Sequence, residues 1–345
     1  MKNYNTSSAV DWRKQLKSNE RRTHFVIFAF VLIYVLVGLI VDLYMHPEFH
    51  QIPILQALQL LVTFQVVPVA TLILGIVAIV SILITYSLHD RIMLLGTEYH
   101  EITLKSARSV EEQQLYNVTE ELKIAAGLRY MPKVYLIEAD YMNAFASGYS
   151  EKSALIAITR GLLQKLDRSE LQAVMAHELS HIRHHDIKLT LMASVLSNII
   201  LIVLDIMFRG IIFGGSRRRN NNGNIIVLVV ILLRFLLPIV TILLLLYLSR
   251  KREFMADAGA VELTRDNVPL AKALLKISGD HEANKEKYAM VYHETSHEEA
   301  RREAYIFDPA QAGISIQQSL GNAFSTHPPL AERLRALGFK GGVKS

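Results

Sequence analysis

The sequence predicts an α+β membrane protein in which about four transmembrane helices accompany a mainly helical soluble domain with a small β-sheet. Half of the 345 residues are hydrophobic and a fifth are charged, and mean hydropathy is positive. The apolar residues are concentrated in four long runs. Between and after these runs, amphipathic helical patterns alternate with short β-branched segments. These observations indicate a membrane protein with a soluble part.

The first two apolar runs predict a transmembrane hairpin within residues 1–91. The run from His24 to Met45 has no charge until Asp42, and it is longer than the hydrophobic region of a removed signal peptide. The segment that begins at Ile54 starts as an amphipathic stretch, and Val67 to Leu88 forms the second crossing. Basic residues before the first crossing place the N-terminus in the cytoplasm by the positive-inside bias.

The second pair of runs, 189–208 and 225–249, predicts another hairpin over residues 189–249. The alternative is a pair of buried core helices, which the length of the fourth run disfavours. The loop with Arg217, Arg218 and Arg219 opposes this topology, because the positive-inside bias would keep those residues in the cytoplasm.

Two ionisable residues, Asp205 and Arg234, lie inside the second pair of runs. Charged groups at membrane depth are either functional or paired. A long arginine side chain can bridge their difference in depth, so we expect a structural pair between neighbouring helices rather than a transport pathway.

The soluble domain is predicted to form in two parts, and the first covers residues 92–188. A capping pattern at Ser109 begins an amphipathic helix. Short apolar or β-branched runs at 133–139 and 154–159 predict paired strands. A second capping pattern at Asp167 begins a helix that continues to about His185.

The second part of the soluble domain covers residues 250–345. It begins with a helical segment at 251–264 and closes with a short amphipathic helix after Pro329. Between them lies a polar insertion, about 279–302, that is rich in His, Glu and Lys and is predicted to be an exposed helix or lid.

Two stretches have the pattern His-Glu-x-x-His, at His177 to His181 and at His293 to His297. On a helix, histidines four residues apart point in similar directions, so both imidazoles can bind one metal ion. Glu178 then lies beside the ion and can act as the base in metal-assisted hydrolysis. The first copy has apolar neighbours that can pack into a core, whereas the second has almost none. The sequence therefore assigns the metal to the first copy and predicts a solvated charged helix for the second.

The third metal ligand is predicted downstream of the fourth apolar run. The chain has no cysteine, so a metal site must use histidine, aspartate or glutamate. Glu253 can supply a third ligand to a zinc ion, and Asp257, one turn later, can orient a ligand imidazole. Two apolar runs separate His181 from Glu253, and two crossings return the chain to the same side of a membrane. The hairpin and the metal site therefore support each other.

The chain resembles the HtpX-type membrane metalloproteases in three segments, HELSHIRHHD, REFMADAGAVEL and STHPPLAERLRAL, and in the apolar hairpins before and between them. It is more distantly similar to the CAAX prenyl proteases of the same clan. The resemblance covers nearly the whole chain. It implies a gluzincin with a zincin-like metalloprotease domain and one zinc ion per chain. It also implies an integral inner-membrane endopeptidase whose active site faces the cytoplasm and which acts on misfolded membrane proteins in quality control and the stress response.

Position by position, the resemblance implies that His177, His181 and Glu253 bind the metal and that Glu178 is the general base. It places Asp257 behind a ligand histidine. It adds three residues. Asn143 in MNAFASG would hold the substrate backbone, and His327 would be catalytic because it would stabilise the oxyanion. Arg333 would anchor the region around His327 and contribute to substrate binding.

The expected partners are unfolded or membrane protein substrates and the lipid bilayer, with other membrane proteases as further candidates. An edge of the strand at 154–159 could bind an extended peptide by β-addition. The net charge of +5 is accounted for by residues that flank the apolar runs. The sequence has no stripe of interleaved basic and aromatic residues of the kind that binds nucleic acid, so no nucleic-acid partner is expected.

Three other functions are alternatives to that of a membrane metalloprotease. An intramembrane protease would place His-Glu-x-x-His within an apolar span, and the segment around His184 is too polar for that depth. A non-proteolytic metal transporter or sensor would use the thirteen histidines, with Asp205 and Arg234 in its pathway. Prenyl-protein processing is disfavoured because the chain has fewer apolar runs than the prenyl proteases.

Overall fold

The computed structural model describes residues 12–148, 150–184, 205, 209, 221–295, 301–302, 304–314 and 327–339. Helices dominate, and a small mixed sheet accompanies them, which confirms the α+β part of the predicted fold class. Contacts divide the chain into two compact units. The first unit comprises residues 1–23, 88–190 and 246–345, and the second comprises residues 24–87 and 191–245.

Long helices contain three of the four apolar runs. Helix α1 (Trp12–Met45) contains the first run, and α3 (Val69–Leu94) contains most of the second. Helix α7 (Asn221–Thr264) contains the fourth, whereas the third run, 189–208, lies outside the described residues apart from Asp205. Within the part of the chain that the structure describes, no helix combines the length and the apolar character that a membrane crossing requires.

In the second unit, the buried Asp42 on α1 caps the N-terminus of α3. Its carboxylate accepts hydrogen bonds from the backbone N–H groups of Ala70 at 2.7 Å and Thr71 at 3.0 Å. The negative charge is favourable at this end of the helix because unpaired N–H groups point toward it. Close approach is possible because a Cβ at Gly38 would lie 2.6 Å from Thr71 Cα. One charge within an apolar run therefore stabilises the start of the next.

The second unit also contains the expected ion pair of Asp205 and Arg234. Arg234 Nη1 binds one carboxylate oxygen of Asp205, and Arg209 Nε binds the other at 2.6 Å. Asp205 thus has two arginine partners, one of which lies a single helical turn away in sequence.

The first unit contains a four-stranded mixed sheet in the order β1-β2-β4-β3. The strands are β1 (Tyr99–Ile102), β2 (Lys133–Ile137), β3 (Ala144–Ser147) and β4 (Leu155–Thr159). Strands β2 and β4 correspond to the two predicted strands and pair in parallel. The outer strands β1 and β3 pair antiparallel to them and were not predicted.

The expectation of a peptide-binding edge at 154–159 is wrong. Strand β4 lies between β2 and β3, so both of its edges are already paired. The chain reverses after β3 through a turn that ends at Ser153 and returns as β4 in antiparallel register. The outer strand on this side of the sheet is therefore β3, whose Phe145 forms an isolated antiparallel bridge with Tyr305.

Helix α6 (Arg168–Arg183) lies at the centre of the first unit. Asp167 accepts hydrogen bonds from the backbone N–H groups of Ser169 and Glu170, and the Glu170 side chain binds the Asp167 N–H, which completes the predicted capping box. The helix packs against β3, against α4 (Val110–Ala125) and against α8 (Val268–Ala283). It is therefore buried on several faces, and the first His-Glu-x-x-His lies inside the core.

The remaining helices of the first unit are α5 (Arg160–Lys165), α9 (Lys285–Glu294) and α10 (Leu330–Ala336). Helix α9 belongs to the polar insertion, which is less exposed than predicted. Its Tyr288 and Tyr292 are buried, and so is His281 at the end of α8. The two tyrosines are four residues apart and lie on one face of the helix. The prediction of an exposed helix rested on the many charged residues of this segment and overlooked this apolar stripe. His293 and Glu294 are exposed, and His297 lies outside the described residues.

Two glycines provide a matched test of this packing. A Cβ at Gly161 would lie 2.0 Å from the carbonyl oxygen of Asp140, whereas a Cβ at Gly279 on α8 would meet nothing within 4 Å. Gly161→Ala should lower the free energy of unfolding by about 1–3 kcal/mol through overpacking. Gly279→Ala should raise it by about 0.5–1 kcal/mol, because glycine is unfavourable inside a helix. Thermal unfolding of both variants measures this difference, and an equally stable Gly161→Ala variant would contradict the described packing.

Candidate metal centre and active site

Helices α6 and α7 bring two imidazoles and one carboxylate to a single point. His177 Nε2 and His181 Nε2 lie 3.2 Å apart, and each lies 3.6 Å from an oxygen of Glu253. An ion that is bound tetrahedrally at 2.0–2.2 Å separates its ligand atoms by about 3.3–3.6 Å. The donor atoms present therefore fit a zinc ion, and one ligand atom from each residue lies within 4.8 Å of the others.

The approach of the two helices depends on Gly259, which sequence reasoning missed. A Cβ at this position would lie 2.5 Å from Ser180 Oγ on α6. Glycine is unfavourable inside a helix, so a glycine two residues after Asp257 was the available signal of a close contact. Because α7 can approach α6 here, the Glu253 side chain reaches the histidine pair.

Asp257 holds His177 from the side opposite the converging nitrogens. Its Oδ1 lies 3.0 Å from His177 Nδ1, whereas Nε2 of the same ring faces His181 and Glu253. Burial lowers the pKa of His177, but Asp257 and Glu253 raise it by more, so the net direction is upward. The structure thus brings Asp257 next to the His177 imidazole.

Arg333 on α10 forms a two-point ion pair with Asp257. Its Nη2 and Nε donate to the two carboxylate oxygens at 2.6 and 2.9 Å, and its Nη1 donates to the carbonyl of Ile306 at 2.6 Å. Burial raises the pKa of Asp257, but Arg333 and His177 lower it by more, so the carboxyl is held ionised. No local pattern predicts this pair, because its members are 76 residues apart.

Glu178 is fully buried beside the ligand cluster. Neither of its carboxylate oxygens has a hydrogen-bond partner among the described residues. Burial raises the pKa of Glu178 above its usual value. Buried polar groups normally have partners, so an unpartnered carboxylate at this position indicates a group that acts on something bound beside it.

His327 lies on the other side of Glu253, next to Arg333. Its Nδ1 is 3.6 Å from Glu253 Oε2, and Arg333 Nη1 is also 3.6 Å from that oxygen. Burial raises the pKa of Glu253, but His327 and His177 lower it by more, so the net pKa lies well below the usual value. The structure thus brings both C-terminal residues named by the resemblance to the ligand cluster.

Asn143 lies at the start of β3, and its carboxamide binds the protein's own backbone. The Nδ2 donates to the carbonyl of Phe307 at 3.0 Å, and the Oδ1 accepts from the N–H groups of Ala144 at 3.1 Å and Phe307 at 3.4 Å. The residue is fully buried. These bonds connect Asn143, the residue before β3, to the backbone of Phe307.

The role of Asp257 can be tested by Asp257→Asn. The amide keeps the shape but removes the charge that pairs with Arg333 and orients His177, so metal affinity should fall about 10–100-fold. The measurement is metal content after dialysis against graded concentrations of chelator. Glu262→Gln is the matched control, because Glu262 lies on the same helix, is largely exposed and pairs with Arg183. Equal metal retention in both variants would contradict the assigned role.

Comparison with known proteins shows the family to which the chain belongs. Residues 109–338 match the profile described as Peptidase family M48. The Protease HtpX homolog of Helicobacter acinonychis (strain Sheeba) is 38% identical over 328 residues, which cover 95% of this chain and 98% of the relative. The Protease HtpX homolog of Listeria monocytogenes serotype 4a (strain HCC23) is 33% identical over 335 residues, which cover 94% and 98%.

A solved structure with a partly similar fold is the crystal structure of S. mikatae Ste24p. It is 18% identical with a TM-score of 0.48, and the match covers 93% of this chain and 66% of that chain. The profile match and the HtpX homologs show the family independently of this structure. The chain belongs to peptidase family M48 and is a metalloprotease.

Proposed function

We propose that the chain is an integral-membrane, zinc-dependent endopeptidase that hydrolyses peptide bonds of misfolded or damaged membrane proteins at the cytoplasmic face of the inner membrane. The observation that carries the proposal is the buried carboxylate of Glu178, which has no hydrogen-bond partner in the described part of the chain and lies beside two imidazoles and the Glu253 carboxylate. Family membership supports the peptidase activity, and the donor set of two nitrogens and one oxygen supports zinc.

A zinc ion held by His177, His181 and Glu253 would supply Lewis acidity, which polarises the scissile carbonyl and lowers the pKa of water. Glu178 is placed to take the proton from the attacking water with either of its free oxygens. Its raised pKa lets it hold that proton and then pass it to the leaving amine. One side chain therefore serves as base and then as acid.

Three further residues would organise the site around the reacting carbonyl. Asp257 fixes the orientation of His177, and Arg333 fixes Asp257 by its two-point ion pair. His327, adjacent to Glu253, would donate a hydrogen bond to the oxygen that becomes negative in the transition state. These side chains would be held in place before the substrate binds, as such stabilisation requires.

An extended substrate would pair with the outer edge of β3 past the bridge between Phe145 and Tyr305. Because the Asn143 carbonyl accepts from Thr159 N–H on β4, alternation directs the backbone groups of Ala144 and Ala146 away from β4. The Ala144 carbonyl already accepts from Ile306 N–H, so the carbonyl of Ala146 is the next outward group. Backbone pairing gives little sequence preference, and this suits unfolded protein substrates.

The surface of α1 and α3 supports placement in a membrane. Many large apolar side chains that a soluble protein would bury are exposed along both helices, and such surfaces indicate contact with lipid or protein. These residues are Phe25, Phe28, Val31, Leu32 and Leu36 on α1 and Leu72, Ile73, Ile76, Ile79 and Leu83 on α3. The proposal therefore retains four crossings, with the second pair over residues 189–249.

The two His-Glu-x-x-His copies allow a matched test of the chemistry. Glu178→Gln should lower the turnover of an unfolded protein substrate by about 10²–10⁴-fold and leave zinc content unchanged, because only the proton acceptor is lost. Glu294→Gln changes the corresponding residue of the second copy, which is exposed, and should leave turnover unchanged. Proteolysis and metal content are measured on both proteins with and without chelator. Full proteolytic activity of Glu178→Gln would contradict the proposal, and unimpaired metal flux in that variant would favour a transporter.

The topology can be tested with introduced thiols because the chain has no cysteine. Ser216→Cys lies in the loop between the third and fourth apolar runs, and Val110→Cys lies at an exposed position of the soluble domain. A membrane-impermeant maleimide added to spheroplasts should label only Ser216→Cys, whereas lysis should expose both. Labelling of Ser216→Cys only after lysis would refute full crossing of the second hairpin.

A further inference from the structure

The polar insertion contributes a buried aromatic cluster that the proposed chemistry does not use. Tyr292 on α9 lies at its centre. Its ring centroid is 4.5 Å from that of Tyr141, 6.1 Å from that of His281 and 6.4 Å from that of Tyr305. Tyr141 lies just before β3 and Tyr305 bridges to that strand, so a helix expected to be solvated is packed against the segments that flank β3.

The hydrogen bonds of this cluster fix the direction of the Tyr292 hydroxyl. His281 Nδ1 lies 2.9 Å from the carbonyl of Ile277, so this nitrogen carries the proton and His281 Nε2 accepts. Tyr292 Oη lies 3.0 Å from that Nε2 and therefore donates to it. The lone pairs of the hydroxyl are left for another donor, and Asn143 Nδ2 lies 3.5 Å away.

Asn143 in turn holds a short segment, residues 304–308, which we name the strap. Its carboxamide binds both the N–H and the carbonyl of Phe307, as the backbone of a neighbouring strand would. Beside this contact, Tyr305 forms a single antiparallel bridge with Phe145 on β3. The strap therefore lies along the start of β3 in a strand-like arrangement.

The strap is also the backbone contact of the arginine in the site. The carbonyl of Ile306, the residue before Phe307, accepts from Arg333 Nη1 at 2.6 Å. The same guanidinium pairs with Asp257 and lies 3.6 Å from Glu253. A shift of Phe307 would move Ile306 and with it one of the contacts that hold Arg333.

We infer that Tyr292 is a positioning residue of the active site, which acts through Asn143 and the strap on Arg333. Asn143 is accordingly a positioning residue and not a binder of substrate backbone. The inference rests on the proposed function, since it concerns the geometry of that site. It gives the polar insertion, which contains the second His-Glu-x-x-His, a role other than metal binding: α9 holds the edge strand and the strap in register with the metal ligands.

The test compares two hydroxyl deletions one helical turn apart. Tyr292→Phe removes the hydroxyl that faces Asn143 and His281. Tyr288→Phe is the matched control, because that hydroxyl lies 2.9 Å from Asp280 Oδ2 and 3.2 Å from the Asp140 carbonyl. We expect Tyr292→Phe to lower kcat about tenfold with a smaller change in KM, since the reacting groups are misplaced. Tyr288→Phe should keep the kcat of the unaltered protein, and both variants should retain zinc.

A second readout separates positioning from a loss of stability. In the cobalt-substituted enzyme, the visible absorption bands report the geometry of the metal ligands and require no turnover. These bands should shift in Tyr292→Phe and stay unchanged in Tyr288→Phe. Asn143→Asp, which replaces the Nδ2 donor with an acceptor that faces the Phe307 carbonyl, should shift them at least as far.

Each outcome decides the inference. Unchanged kcat and unchanged cobalt bands in Tyr292→Phe would overturn it, and so would a fall in activity that disappears on cooling and follows the unfolded fraction. If the unaltered protein shows no proteolysis, the proposed function fails, and the cobalt bands alone then decide whether Tyr292 positions the site.

Discussion

The buried ion pair of Arg333 and Asp257 is the interaction on which the site depends. Three carboxylates, on Glu178, Glu253 and Asp257, are buried together. A buried charge without a compensating partner destabilises the fold by on the order of several kcal/mol. Arg333 compensates one of them directly and lies 3.6 Å from a second. A divalent cation at the ligand cluster would compensate further negative charge. The electrostatics and the donor geometry therefore agree on the same kind of ligand.

That ion pair also determines which parts of the chain must meet. Asp257 is on α7, Arg333 is on α10, and the histidine that Asp257 orients is on α6. The helices can approach closely because Gly259 presents no side chain to Ser180. Burial of α6 on several faces explains why only the first His-Glu-x-x-His has the surroundings of a catalytic site. His293 and Glu294 of the second copy are exposed on α9, where water competes for any ligand.

Sequence reasoning succeeded where the signal is local and periodic, and it failed where a contact joins distant segments. The capping box at Asp167 and the strands β2 and β4 follow from patterns within a few residues. Strands β1 and β3 have four residues each, and the run AFAS has no alternation of apolar and polar residues, so neither was visible. Without β3, the inner strand β4 looked like an edge. The stripe of Tyr288 and Tyr292 was hidden among charges, and the partner of Asp257 lies 76 residues away.

The strap shows how the site is connected to the end of a long helix. The buried Arg301, three residues before the strap, donates to the backbone carbonyls of Met93 at 3.2 Å and Leu95 at 2.8 Å. These carbonyls lie at the C-terminal end of α3, where the helix dipole favours a positive charge. The strap then pairs with β3, and its Ile306 carbonyl holds Arg333. The contacts of Arg301, Phe145 and Ile306 therefore connect the end of α3, the outer edge of β3 and Arg333 through one short stretch of chain.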